Sequence, residues 1–372
     1  MKILVTGGAG FIGSHLVDAL VERGYQVRIM DALVTQVHGP AADWPAWVPP
    51  DVQKIRGDVS DIEVWARALE GTDVVFHLAA EVGVGQSMYE ITRYMNSNSM
   101  GTANLLQLLA HGKYRVQKLV VASSMSIYGE GAYQAGDGQL VYPQLRSSEQ
   151  LAQRQWEMLD PRSGGHLAPV ATDESKPLFP TSIYAISKRD QEEMCLAVGR
   201  AYRIPTVALR FFNVYGPRQA LSNPYTGVAA IFSSRLLNGK PPLVFEDGGQ
   251  SRDFVHVRDI VQALLLAMEC EQANYQAINV GTGQSITILQ VAQALARELQ
   301  LDLEPQMVNQ FREGDIRHCF ADIRKAQKLL GYQPTVKFED GISDLVGWVR
   351  RQRAEDKVEL ATAELAGRGL TH

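Results

Sequence analysis

TGGAGFIG, residues 6–13, follows the apolar run KILVT (2–6) and leads straight into SHLVDALVERG. Its glycines Gly7, Gly10 and Gly13 recur at every third position. A strand, a glycine-rich turn and a helix in that order let the backbone approach a pyrophosphate. Glycine permits the tight turn and the close helix–strand packing, and the helix start offers unpaired N–H groups with a partial positive charge. In the helix, Leu16, Val17, Leu20 and Val21 share one face, with Ser14 able to cap the start and Gly24 the end. Further strand-like runs, QVRIM (26–30), DVVFHL (73–78) and KLVVAS (118–123), alternate with helical stretches at 61–71 and 99–112. That rhythm predicts an α/β Rossmann fold, a doubly wound parallel sheet with helices on both faces.

Asp31 ends the second strand, about 20 residues after the glycine turn, where a carboxylate can take both ribose hydroxyls of a dinucleotide. The same carboxylate repels a 2′-phosphate, and no Arg follows in DALVT, so NAD is expected rather than NADP. Phe11 and Ile12 then belong to the phosphate-binding helix start. Asp58 and Val59, in RGDVSD, stand where adenine docks. Leu78, Ala79 and Ala80, after the fourth strand, leave space for the cofactor's other half.

Composition narrows the class. The 372 residues are 45% hydrophobic and 21% charged, with net charge −5. No basic stripe suits nucleic acid or an anionic membrane, and no apolar run approaches the roughly 20 residues that span a bilayer. Cys195, Cys270 and Cys319 are dispersed and odd in number, which suits buried thiols rather than a disulfide framework or a metal site. The opening residues become strand at once, leaving no room for a signal segment, so a cytoplasmic protein is expected.

Boundaries follow from the change of pattern. Residues 1–180 are expected to form the cofactor domain, with an insertion at about 131–175. Residues 181–350 are expected to form a smaller, loop-rich α/β substrate domain that returns some segments to the sheet, and 351–372 a charged, alanine-rich tail whose terminal helix frays. The insertion is expected to carry a helix at SSEQLAQRQWEML and to be either a lid beside the site or a passive elaboration.

In SIYAISKRD, Tyr184 and Lys188 lie four residues apart on one helical face. A phenol titrates at about 10, too high for a neutral-pH base. An adjacent ammonium and an oxidised nicotinamide are expected to draw it down. His77 and His256 read as satisfied core histidines, and Arg218 as either a surface ion pair or a phosphate-binding side chain.

With GGAGFIG, NSMGTANLL, SSMSIYG, YAISK, RFFNVYGPRQ, RDFVHVRD, NVGTGQ and REGD in this order, the chain resembles the extended short-chain dehydrogenase/reductases, specifically the NAD-dependent nucleotide-sugar epimerases and dehydratases. The resemblance runs from Met1 to about Trp348 and implies a homodimer paired through helices at 97–111 and 184–202. It implies Ser124 as the hydroxyl on the reacting sugar oxygen, Tyr184 as base and Lys188 as its partner, with Ser126 close by. Asn98 would be either a cofactor-site or a buttressing asparagine. Asn213 would meet the diphosphate, and Arg252, Arg312 and Asp315 would grip phosphate and ribose.

Similar dehydratases carry Asp-Glu in the two positions after the catalytic hydroxyl, and similar decarboxylases a Glu in the second. Here stand Met125 and Ser126. A thioether transfers no proton and a serine is a poor acid, so elimination lacks its acid and base. What remains is transient oxidation at C4, a 4-epimerase acting on a dTDP- or UDP-linked sugar. Within the family the chain is most similar to the branch acting on dTDP-L-rhamnose, with UDP-glucose/galactose and UDP-glucuronate as alternatives. A reductase or dehydrogenase would use the same three residues but consume or release reducing equivalents. A non-catalytic NAD sensor would have no use for them. Relatives with the insertion can carry Cys-Pro-x-Cys where Asp160-Pro161-Arg162-Ser163 stands. No metal is therefore expected, and packing alone is expected to hold the insertion.

Overall fold

The computed structural model describes residues 1–40 and 43–372. Seven parallel strands form the central sheet: β1 (Lys2–Thr6), β2 (Gln26–Asp31), β3 (Gln53–Arg56), β4 (Val74–His77), β5 (Lys118–Ser124), β6 (Thr206–Phe211) and β7 (Gln276–Val280). Their spatial order is β7-β6-β5-β4-β1-β2-β3. The strand order reverses between β1 and β4, the kind of switch point where doubly wound sheets open a crevice. Register is set by apolar residues on both faces. Ile3 and Val5 face one core while Leu4 faces the other, and in β5 Val120 opposes Leu119 and Val121.

Helices cover both faces. α1 (Phe11–Glu22) packs on one side, and α2 (Ile62–Leu69), α3 (Gly101–Ala110) and α4 (Ile183–Tyr202) on the other. α5 (Val257–Glu269) joins α1. α1 starts at Gly10 without a side-chain cap, so Ser14 is not its cap. One turn inside the helix, its hydroxyl donates to Phe11 O at 3.0 Å. Gly24 follows the helix end at φ 77°, a conformation that favours glycine. β6 and β7, from beyond residue 200, form one side of the same sheet. A separate core built on Phe232, Val244, Leu295 and Leu345 supports the far wall of the crevice.

The insertion folds as a three-stranded antiparallel sheet of Ala132–Gln134, Leu140–Val141 and Ala168–Val170. Its helix is only Ser148–Ala152, capped by Ser147, and the chain then turns back so that Met158 packs on Tyr133, Ala135 and Leu167. Packing alone does not hold it, contrary to the sequence expectation. Arg317, fully buried, pairs with Glu157 of the insertion at 2.5 Å and with Glu246 at 2.9 Å. Arg146 reaches the same Glu246 at 2.8 Å, and His318 meets Glu157 at 3.0 Å. Glu130 closes the network by accepting from Tyr133 Oη and Arg317 N. Buried charges survive only when mutually paired, so this network ties the insertion to residues more than a hundred positions downstream.

The end of the chain departs further from expectation. The expected helix is there, α6 (Val358–Gly367), but it is docked against the rest of the molecule and not frayed. Beyond it, Phe311 and His372 exchange backbone hydrogen bonds at 2.9 and 3.0 Å.

Candidate active site

A cleft of about 650 Å³ runs from the glycine turn across the carboxyl ends of the strands to the far wall. At one end, Gly7 has φ 67° and lies so close to Ala79 that a β-carbon would stand 3.1 Å from that backbone. A β-carbon on Gly13 would collide with Gly7 O. Both contacts let α1 start hard against β1. Gly7, Gly10, Phe11, Ile12 and Gly13 line the cleft, as do Asp31, Asp58, Val59, Leu78, Ala79 and Ala80. Asp31 braces the turn, accepting from Ala9 N at 3.0 Å and Leu33 N at 2.9 Å. Asp58 accepts from Ser60 N at 2.8 Å.

Midway along, β5 ends in two serines that face opposite ways. Ser123 donates to Glu192 at 2.6 Å in a buried pair with Arg210. Ser124 faces the cleft, where its Oγ lies 2.9 Å from Ser126 Oγ and caps the turn Met125–Tyr128. Met125 packs against Tyr128, Phe212, Ile316, Cys319 and Ala321. Its thioether therefore continues a small apolar core under the site.

Ser182 caps α4, accepting from Ala185 N at 3.1 Å, so the helix starts with Tyr184 and Lys188 at the cleft wall. Tyr184 N donates to Ser87 Oγ at 3.0 Å, and its ring meets Tyr94 edge-on at 6.4 Å. Burial pushes the phenol above its ordinary range, partly offset by the Ser124 hydroxyl. The expected lowering is thus not a property of the protein chain by itself. Lys188 is buried, its Nζ donating to Gln191 Oε1 at 2.8 Å, and burial pushes it down to about 8.

Asn98 departs from the cofactor-site expectation. Fully buried, it accepts from Glu81 N at 2.8 Å and donates to Glu81 O and Ser187 Oγ. Every polar group of its side chain is spent on joining the loop after β4 to α4. His77 is satisfied by Thr6 and Thr102, each at 2.9 Å. His256 accepts from Arg258 N through Nδ1, while its Nε2 stands 3.3 Å from Asp344. Arg218 pairs with Asp18 at 2.7 Å.

At the other end, Asn213, Arg252, Arg312 and Asp315 line the same cleft. Among the described residues, Asn213 Oδ1 is buried with no hydrogen-bond partner. Arg252 rests on the carbonyls of Ile316 and Arg317 at 2.6 and 2.9 Å. Arg312 and Asp315 pair with one another at 2.7 Å, and Arg312 lies over the Phe245 ring. Sequence reasoning missed Ser87, Gln191 and the cleft-facing residues of α6. Gln191 stands one helical turn after Lys188 and was open to the same spacing argument, whereas nothing local marks Ser87 or α6, which come from distant segments.

Fold and cleft together define a dinucleotide-dependent enzyme with a hydroxyl, a phenol and an ammonium at the centre of its site. Residues 3–150 and 163–281 match the NAD dependent epimerase/dehydratase family, and the chain belongs to that family. It is 36% identical to dTDP-L-rhamnose 4-epimerase of Burkholderia thailandensis, over 94% of this chain and 95% of that one. A putative UDP-glucose 4-epimerase of Methanocaldococcus jannaschii is 31% identical over 94% and 98%. Among solved structures, UDP-glucose 4-epimerase of Thermotoga maritima with UDP-glucose superposes at TM-score 0.77, with 32% identity and coverage of 94% and 99%. UDP-glucuronic acid 4-epimerase of Bacillus cereus, in complex with UDP-glucuronic acid and NAD, superposes at 0.77, with 29% identity and the same coverage.

The residues fit NAD. The glycine turn leaves a backbone cradle, the start of α1 carries no side-chain cap to compete with a phosphate, and Asp31 lines the cleft at the end of β2.

Proposed function

We propose that this protein is an NAD-dependent nucleotide-sugar 4-epimerase whose substrate is dTDP-L-rhamnose or its C4 epimer. The observation that carries the reading is the pairing of Ser124, Tyr184 and Lys188 along one cleft with a turn after Ser124 that holds Met125 and Ser126 and no carboxylate. The relative acting on dTDP-L-rhamnose supports the choice of sugar.

When bound, NAD supplies a two-electron acceptor that takes the C4 hydrogen and gives it back, with a positive ring beside the phenol. Tyr184 removes the proton of the sugar's 4-hydroxyl and later restores it. Its phenol starts above its ordinary range, so it becomes basic only where positive charge accompanies the cofactor. Ser124 donates to the reacting oxygen, steadied by Ser126. Lys188 holds the cofactor's ribose and adds charge beside the phenol. Asn213 meets the diphosphate through its side-chain Nδ2–H, which donates. Arg252, Arg312 and Asp315 grip the nucleotide once the Arg312–Asp315 pair opens, so the sugar can turn while its nucleotide stays fixed. No external reductant is consumed.

Homodimer formation through α3 and α4 belongs to the same reading. Met100 and Ile186 leave large apolar side chains exposed on that surface. No helix among the described residues is long and apolar enough to cross a membrane. The test is incubation with dTDP-L-rhamnose and with UDP-glucose, UDP-galactose and UDP-glucuronate, following C4 epimers by NMR. Tyr184→Phe should lower kcat by about 10²–10⁴-fold with NAD retained. Unchanged turnover, or a stoichiometric change in NADH, would refute the proposal.

A further inference from the structure

Residues 350–372 add a wall to the cleft. In α6, Val358, Ala361, Thr362 and Leu365 all face it. Their spacing of three, four and seven residues makes a single helical stripe, while Leu360 on the opposite face is exposed. An apolar stripe of this kind ordinarily packs into a core. Here it borders the space that the proposed substrate enters.

Three anchors hold the segment. At the start of the helix, Asp356 just before it pairs with Arg235 at 3.3 Å and Lys240 at 3.1 Å, and Glu359 in its first turn pairs with Arg235 at 2.8 Å. After the helix, Arg312 and Thr371 form an antiparallel bridge, with Glu313 N donating to Leu370 O at 3.1 Å. The third anchor lies between them. Glu364 Oε2 stands 3.0 Å from both Tyr89 Oη and Tyr225 Oη, and those two hydroxyls are 2.6 Å apart. Tyr89 belongs to the loop after β4, whereas Tyr225 belongs to the far wall. Arg368 covers the Tyr89 ring at 4.2 Å.

The helix also reaches the catalytic side. A β-carbon on Gly85 would stand 3.4 Å from Leu365 Cδ1 and Cδ2. Two residues on, Ser87 holds Tyr184 N. Leu365 therefore lies against the loop that fixes the start of α4 and lines the same cleft as Tyr184.

Resting on the nucleotide-sugar reading above, we propose that the Val358–Leu365 face of α6 is a specificity-determining wall of the substrate site, and that Glu364 is the positioning residue latching it across the cleft to Tyr89 and Tyr225. The wall offers methyl groups and one hydroxyl and no cation, so it favours a sugar with a C6 methyl over one with a carboxylate, whose desolvation it leaves uncompensated. The latch consists of two hydroxyls on a carboxylate at the protein surface, strong enough to hold the wall yet open to water. The wall's opening admits substrate and its closing excludes water.

Glu364→Ala in the full chain should raise KM for the nucleotide sugar roughly tenfold, with kcat and bound NAD little changed. Glu364→Gln, which keeps an acceptor oxygen, should recover most of that loss. Leu365→Ala should raise KM for a methyl-bearing sugar more than for UDP-glucuronate. Hydrogen exchange supplies a readout independent of turnover: saturating dTDP or UDP should slow exchange across 358–372 in the parent protein and less so in Glu364→Ala. If no nucleotide sugar is epimerised but dTDP or UDP still protects this segment through Glu364, the wall stands and the 4-epimerase reading falls. Unchanged KM in both alanine variants, or exchange across 358–372 indifferent to dTDP and UDP, overturns the wall.

Discussion

The two ends of the cleft are built on different principles. The glycine end is made of backbone within one short stretch, so Gly7, Gly13 and Asp31 find one another within 25 residues of chain. The far end is made of side chains brought together from distant segments, among them Asn213, Phe245, Arg252, Arg312, Asp315 and α6, and behind it the charged network ties the insertion down across a hundred positions or more. A backbone cradle tolerates almost no added atom but needs no partner. A charged network tolerates shape changes but fails when one member leaves its partners buried and unpaired.

That contrast is open to attack, and the strongest blow falls on the network. Arg317→Met would take the central cation from Glu157, Glu246 and Asp247, leaving the buried Glu246 to Arg146 alone and Glu157 to His318. It should destabilise the protein by about 3–5 kcal/mol, measured by urea denaturation, while the glycine end keeps its affinity for NAD. The reciprocal lesion is Gly13→Val, whose side chain would drive into Gly7 O. Overpacking of this kind costs about 1–3 kcal/mol. Its sharper signature should be loss of NAD from the purified protein, read by absorbance after denaturation.

Acid sharpens the comparison further. His318 and Arg317 hold the Glu157 carboxyl down to about 2, below its ordinary value near 4.5. A depressed carboxylate contributes stability that is complete above its unfolded pKa and is lost as pH falls through the folded value. The melting temperature should therefore drop between pH 4.5 and 2, and Glu157→Gln should flatten that part of the profile. Smallest of all should be Arg218→Ala. Its pair with Asp18 is partly solvent-exposed, and its removal should change stability by about 0–1 kcal/mol. A larger loss in catalysis than in stability would mean that Arg218 touches substrate.

Legibility in the sequence followed the same divide. The β1–turn–α1 unit could be read because glycine spacing, strand composition and the Asp31 position are all local. Tyr184 and Lys188 could be read because a separation of four means one helical face. Asn98 was harder, since its motif is compatible with ligand or buttress and only the hydrogen bonds to Glu81 and Ser187 decide. The same holds for the tail. Its charge and alanine content suggest fraying, and nothing in VELATAELAG announces that Glu364 will meet Tyr89 and Tyr225.

Met125 illustrates the remaining limit. Sequence shows that no proton-transfer group follows Ser124, which is a statement about residue type. Only the fold shows that the thioether packs under the site with Tyr128, Phe212 and Ile316.

By itself, then, the sequence determined the parallel α/β sheet, the dinucleotide turn and the chemistry available after Ser124. These depend on short-range periodicity and on what each side chain can donate or accept. Tertiary structure alone decided that a charged network ties down the insertion, that the Tyr184 phenol is raised before any cofactor charge acts, and that α6 walls the cleft. Those outcomes depend on which distant groups share a low-dielectric space, and pairing in that space leaves no periodic trace along the chain.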